Sequence, residues 1–289
     1  MRKTIKYVIA FGLMLLVSTN FSQSLKDSSY YENLSLNFKS YWIKKKENTK
    51  LIIFLHGGVK NTIFNKPKNI NIVIPLEGNV QFIDRTQKSG FDIFIPIKND
   101  SLNWIDNYEY CFEKFKLFVD SCKKVYSEIY ISGFSDGGTG SYRIFYNHPD
   151  YFSGLIVFNG FPQLSNFNTT IDYSKIKDKK IFYFGTKGDK RIPYEFLLTE
   201  YAKQKLTNPN TFICIKSGRH SFYSYNQFDF NQLFLVLNNK INNTKTEPIH
   251  GFVKNDKLIS FYKFRKKVLR KYNYGREFWK ENKRQKKSL

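Results

Sequence analysis

Histidine, cysteine and acidic side chains are all scarce in this 289-residue chain, and each scarcity excludes something. The three cysteines, Cys111, Cys122 and Cys214, are an odd number without metal-like spacing, so neither a metal cluster nor a disulfide framework organises the chain. Cys111 and Cys122 fall on one predicted helix, roughly 16 Å apart at the helical rise, too far for a bridge. All three read as small buried hydrophobes. Only four histidines occur, His56, His148, His220 and His250, which leaves few candidates for proton transfer. Lys and Arg outnumber Asp and Glu 47 to 24, a formal net charge of +23. Such an excess invites a nucleic-acid partner. It is concentrated, however: residues 251–289 hold 14 Lys and Arg against 3 Asp and Glu, +11 of the total. The tail, rather than the body of the chain, needs the electrostatic explanation.

What is present begins with a leader. Met1 to Lys6 is basic, Tyr7 to Val17 is an apolar run of 11 residues, and Ser18 to Ser24 is mostly small and polar. This is the make-up of a cleaved signal peptide, and its apolar run is too short to span a bilayer comfortably. No Cys follows that run, which argues against a lipoprotein. The expected organisation is a signal peptide over 1–23, a folded domain over 30–245 and a basic, partly helical extension over 246–289. The mature protein is expected in the periplasm or secreted, and no nucleic-acid partner is expected there. In the extension, Phe261, Phe264, Val268, Leu269 and Tyr272 recur at helical spacing among Arg265, Lys266, Lys267, Arg270 and Lys271. Two readings follow: a basic amphipathic helix on an anionic membrane or cell-surface polymer, or a helix docked on the folded domain with its cations solvated.

Between these ends, apolar runs alternate with helical patterns. Leu36 to Lys46 reads as a strand, and Leu51-Ile-Ile-Phe-Leu55 and Phe91 to Ile97 are runs apolar on both faces, as central parallel strands are. Short β-like pieces at Asn71 to Pro75 and Val80 to Ile83 carry no assignment. Tyr108 to Val125 has helical spacing, with Tyr110, Phe112, Phe115, Phe118 and Val119 mostly three to four apart. Strands are then expected at Ile129 to Ile131, 154–159, Lys180 to Phe184 and Thr211 to Ile215. Helices are expected at Thr139 to Tyr146, Pro193 to Lys205 and Phe228 to Asn238. This alternation is the pattern of an α/β fold, a mostly parallel sheet with helices on both faces. Chemistry in such sheets gathers at the carboxyl ends of the strands. His56, Ser135, Asp189 and His220 all fall just past such ends.

The chain is organised around Gly133-Phe-Ser135-Asp-Gly137, where an apolar strand passes through Gly-x-Ser-x-Gly into a helix. That spacing produces a strained strand-to-helix turn with the Ser at its apex and a helix N-terminus beside it. Nucleophilic catalysis by Ser135 needs a base, a group to orient the base, and donors for the developing oxyanion. His220, after the last strand on a Gly-containing loop, is the expected base, the alternative being an ordinary surface-loop histidine. His148 stands before Pro149 in a helix-stop position and reads as structural, His56 belongs to the loop after Leu55, and His250 has no partner in view. Asp189 is the carboxylate of the loop after Phe184; the bland alternative makes it a cap for the helix at Pro193, with Asp172 and Asp178 as fallbacks.

The order Ser135, Asp189, His220, together with Leu51-Ile-Ile-Phe-Leu-His-Gly-Gly58, Gly133-Phe-Ser-Asp-Gly-Gly138, Gly185-Thr186 through Asp189 to Pro193, and Gly218-Arg-His220, resembles the α/β-hydrolase superfamily over roughly residues 35–240. It is most similar to the exported esterase, depolymerase and peptidase-like branch. The resemblance implies the α/β-hydrolase sheet and oxyanion donors from the backbone N–H groups of Asp136 and of Gly58 or Val59. His56-Gly57-Gly58-Val59 lacks a third Gly, so either of the last two can be the second donor. About 20 residues separate the strands at 154–159 and 180–184, too few for a large lid, and an open site suits a bulky or polymeric ester. The expected activity is hydrolysis of a carboxylic ester through an acyl-enzyme on Ser135, with no metal or cofactor. A serine peptidase of the same fold and a catalytically silent surface-binding protein are the alternatives.

Overall fold

Strands with no polar face must be covered on both sides, and that requirement shapes the molecule. The computed structural model describes residues 29–33, 38–45, 47–57, 80–97, 102–162, 171–240, 253–254 and 257–258. In chain order the elements are β1 (Ser29–Asn33), β2 (Phe38–Ile43), β3 (Lys50–Leu55), α1 (Val80–Lys88), β4 (Phe91–Ile97), α2 (Tyr108–Cys122) and β5 (Glu128–Phe134). Then follow α3 (Asp136–Asn147), β6 (Gly154–Phe158), β7 (Lys180–Thr186), α4 (Tyr194–Lys205), β8 (Thr211–Lys216) and α5 (Gln227–Leu237). A short antiparallel pair, β9 (Val253–Lys254) and β10 (Lys257–Leu258), stands apart from the main sheet.

The main sheet has the order β1-β2-β4-β3-β5-β6-β7-β8. From β4 to β8 all pairings are parallel, while β2 joins β4, and β1 joins β2, antiparallel at one edge. Side chains alternate across β3. Leu51, Ile53 and Leu55 enter a core shared with Phe112, Phe115 and Val119 of α2, Ile144 and Phe145 of α3, and Phe196 and Leu197 of α4. Ile52 and Phe54 enter the opposite core with Phe82 and Ile83 of α1 and Phe230, Leu233, Phe234 and Leu237 of α5. At its start, β3 is tied to β5 by Lys50 Nζ on Glu128 Oε1 at 2.6 Å.

The expected strands and helices from Lys50 to Leu55 and from residue 91 to residue 238 are present, with ends shifted by a few residues. The piece Val80 to Ile83 is not β-like; it opens α1. Phe82, Ile83 and Thr86 are its buried positions, one helical face. The Phe82 ring lies 5.3 to 5.9 Å from those of Phe54, Phe158, Phe222 and Phe230. Burying such a side chain contributes about 2–3 kcal/mol, which outweighs the mediocre helical propensity of the segment. Edge strand β1 was not anticipated either. Cys111 and Cys122 are buried and Cys214 is half-buried, all three as free thiols. Burial pushes the Cys122 thiol up to about 12 and that of Cys214 to about 11. The leader, Asn71 to Pro75, Gly58 and Val59, His250 and the helical pattern from Phe261 to Tyr272 lie outside the described residues.

Candidate active site

Ser135 stands between β5 and α3 with φ 56° and ψ −116°, a backbone conformation that side chains other than glycine rarely adopt. The turn is held from both sides: Ser135 N donates to Phe158 O of β6 at 2.9 Å, and Thr139 N donates to Ser135 O at 2.9 Å. Such a tight turn needs close backbone approach. A Cβ on Gly137 would come within 2.0 Å of Leu55 O, so the glycine two places after Ser135 is what lets α3 start directly against β3.

Two further loops converge on Ser135. After β7, Asp189 sits in a turn where its Oδ1 accepts from Arg191 N at 2.7 Å and Ile192 N at 2.9 Å. After β8 the chain passes through Gly218, at φ 148°, and delivers His220. Gly188 N donates to Gly218 O at 2.8 Å, which locks the two loops together. His220 Nε2 lies 2.6 Å from Ser135 Oγ, and His220 Nδ1 lies 2.6 Å from Asp189 Oδ2. The side chains of His220 and Asp189 are 9% and 0% exposed. A carboxylate accepts and does not donate, so Nδ1 carries the proton and Nε2 is left as the acceptor for the Ser135 hydroxyl. The Phe134 ring lies 5.2 Å from the imidazole, tilted by 33°, and shields one of its faces.

A fully buried carboxylate is costly unless every oxygen is engaged. Here Asn159 supplies what His220 does not: its Nδ2 donates to Asp189 Oδ2 at 2.7 Å and to Thr186 Oγ1 at 3.1 Å. Thr186 Oγ1 donates in turn to Arg219 O at 3.0 Å, and the Tyr225 hydroxyl donates to Asn159 Oδ1. Asn159 is itself at positive φ, 47°, at the end of β6. The sequence reading included Asn159 only as the last residue of a strand and Thr186 only within the segment leading to Asp189, gave neither a role, and missed Tyr225. An Asn preceding Gly160 at the end of an apolar run was the available signal, because Asn tolerates the left-handed region.

The other expected residues fall as follows. Asp136 opens α3, whose first N–H groups are directed out of the helix beside Ser135. Its carboxylate accepts from Trp104 N at 3.3 Å, so the side chain is engaged away from the hydroxyl of Ser135. His56 is buried, with Nδ1 2.7 Å from Gly57 O and its ring edge-on to Trp104 at 5.8 Å. Gly58 and Val59 lie just beyond the described part of that loop. His148 pairs with Glu109 at 2.8 Å and stacks on Phe112 at 4.2 Å, far from Ser135 in its contacts and structural as expected. Asp172 accepts from Ser174 N at 3.0 Å and caps a short turn, so it is not the partner of His220. Asp189 does not cap α4, whose N-cap is Pro193 with no side-chain bond; it closes its own loop through Arg191 N and Ile192 N and faces the imidazole. Buried Arg143 of α3 spans the flanking loops, donating to Pro162 O at 2.9 Å and Ile105 O at 2.5 Å. Among the described residues no group of His, Cys, Asp and Glu is arranged to hold a metal ion.

No family model matches the chain, and no curated protein matches it in sequence. Solved structures do match. The Pyrococcus furiosus esterase Pf2001 superposes with a TM-score of 0.52 at 14% identity, over 69% of this chain and 87% of that one. Est1E from Butyrivibrio proteoclasticus gives 0.52 at 13% identity, over 74% and 98%. A thermostable esterase gives 0.52 at 18% identity over 68% of this chain, and the match spans 58% of its length. A putative α/β hydrolase from Agrobacterium tumefaciens gives 0.50 at 15% identity, over 72% of this chain and 93% of that one; by these likenesses this chain has the α/β-hydrolase fold.

Proposed function

We propose that the protein is an exported serine hydrolase that cleaves a carboxylic ester through an acyl-enzyme on Ser135. The observation that carries this reading is the continuous chain from Ser135 Oγ through the His220 imidazole to Asp189, both contacts at 2.6 Å. Ser135 Oγ attacks the acyl carbon while its proton passes to His220 Nε2. The imidazolium that forms is stabilised by Asp189, and the same proton then goes to the departing alkoxide, which leaves as the alcohol. Water attacks the acyl-enzyme, gives its proton to Nε2, and the acid departs as Ser135 regains its hydrogen. The negative charge on the acyl oxygen is met by the N–H of Asp136 at the N-terminus of α3, with a second donor from Gly58 or Val59. Export is supported by the leader composition of Met1 to Ser24. For the basic residues 251–289 the favoured reading is a helix docked on the folded domain with its cations solvated, and contact with an anionic membrane or cell-surface polymer is the alternative. The short β6 to β7 connection supports a site open to a bulky or polymeric ester.

The test is labelling of the mature protein by a fluorophosphonate probe, alongside Ser135→Ala and His220→Ala. Labelling of the wild type that is lost in both variants supports the reading, and hydrolysis of an ester panel then defines the acyl group. A folded wild-type protein that does not label refutes it.

A further inference from the structure

We infer that Asn159 is a positioning residue that sets the charge Asp189 presents to His220, with Tyr225 holding Asn159 in the orientation that does so. This rests on the serine hydrolase reading. Asp189 Oδ2 is shared between two donors, His220 Nδ1 at 2.6 Å and Asn159 Nδ2 at 2.7 Å. Only the amide nitrogen can face a carboxylate, which fixes the amide orientation without ambiguity. The opposite end is fixed too, because the Tyr225 hydroxyl donates to Oδ1. The second hydrogen on Nδ2 goes to Thr186 Oγ1, and Thr186 donates to Arg219 O beside His220. Asn159, Thr186 and Tyr225 are all buried, so none of these bonds competes with water.

The consequence is electrostatic. A donor on Oδ2 withdraws negative charge from the oxygen that faces the imidazole, and so weakens the hold of Asp189 on the imidazolium. Asn159 therefore tunes the base to a lower proton affinity than a carboxylate shared with no one would give. The titratable groups packed around the network are Asp189, His220 and Tyr225, with Cys214 and Asp229 acting on Tyr225 from β8 and α5. Arg191 and Arg219 flank Asp189 and His220 on exposed positions. Burial, first, and then the neighbouring Cys214, Asp189 and Asp229 hold the Tyr225 phenol well above its ordinary value, so it stays a donor across the working range.

The experiment uses Asn159→Gly, which keeps the positive-φ backbone while deleting the amide, and Tyr225→Phe, which keeps the ring while freeing the amide. The expected result is an upward displacement of the acid limb of the kcat/KM profile, by about 0.5 to 1 pH unit in Asn159→Gly and less in Tyr225→Phe. A residue with only a packing role would lower the melting temperature and leave the limb in place. The far-downfield Nδ1–H proton resonance of His220 gives a readout independent of turnover, and both variants are expected to shift it. If the wild type neither labels nor hydrolyses esters, the function reading fails while a shifted resonance still upholds the coupling of Asn159 to His220. A resonance and an acid limb that both stay put in the two variants overturn the inference.

Discussion

Replacing Asp189 by Asn puts the strictest demand on the site, because it changes one atom in a carboxylate that four donors reach. Oδ1 accepts from Arg191 N and Ile192 N at 2.7 and 2.9 Å, and Oδ2 faces Asn159 Nδ2 and His220 Nδ1 at 2.7 and 2.6 Å. An amide has a single oxygen. If it stays with the two backbone donors, the new NH2 group confronts two other N–H groups at hydrogen-bond distance. His220 can relieve its half of the conflict by moving its proton to Nε2, so that Nδ1 accepts. Nε2–H then points at Ser135 Oγ and no longer takes its proton. Loss of a correctly protonated base costs on the order of 10⁴ in rate, roughly 5 kcal/mol of barrier. Asn159 can relieve its half only by turning its amide over onto the Tyr225 hydroxyl, which takes the donor away from Thr186 Oγ1 and breaks the buried network, at about 1–3 kcal/mol of stability. In a domain of this size that lowers the melting temperature by about 5 °C. Stopped-assay fluorophosphonate labelling and scanning calorimetry on the same preparation read both effects. An Asp189→Asn protein that labels within tenfold of the wild-type rate would refute the tautomer argument.

Two further outcomes follow from other parts of the molecule. Ser135→Gly is expected to raise the melting temperature above that of Ser135→Ala by about 2–4 °C, since both lose the hydroxyl but only Gly is at ease at positive φ, a relief of about 1 kcal/mol; equal melting temperatures would contradict stored strain at that turn. At the base of the sheet, burial pulls the Glu128 carboxyl upward, yet hydrogen bonds from Lys50 and Tyr130 outweigh it and leave the group below its ordinary value. Its contribution is therefore present above the unfolded carboxylate range and is lost as the pH falls through the depressed native value. Glu128→Gln should cost about 1 kcal/mol at neutral pH, and melting curves of the two proteins should converge in acid; a constant difference down to the acid limit would argue against the linkage.

What was legible in the sequence is what local pattern dictates. Leu51 to Leu55 is apolar on both faces because two helical layers cover it, so its run alone announces a central strand. Ser135 and His220 were legible because the turn at Ser135 has its own spacing and because so few histidines compete. Asp189 was readable in position, but an Asp before a helix can equally cap it, and only the three-dimensional arrangement, in which α4 takes no cap from Asp189, separates the two readings. Helix α1 was not legible: Phe82 and Ile83 are adjacent, and two neighbouring apolar residues fit a strand as well as a helix until Phe54, Phe158 and Phe230 are known to surround them. Asn159 escaped for a different reason. Its partners come from β7, the loop after it and the loop before α5, and a hydrogen-bond network drawn from separate segments leaves no period in any one of them.

The indole of Trp104 is wholly buried, edge-on to His56 and seated on Gly140, where a Cβ would come within 2.5 Å of its own Cβ. Its backbone N–H reaches the Asp136 carboxylate, next in the chain to Ser135. The molecule thus carries an optical probe beneath the turn that holds Ser135. On the proposed mechanism, an acyl group that displaces the first turn of α3 or the end of β3 would alter the surroundings of that ring, and emission compared between the wild type and Trp104→Phe, which separates it from Trp42 and Trp279, would follow occupancy of Ser135 with no reporter on the substrate.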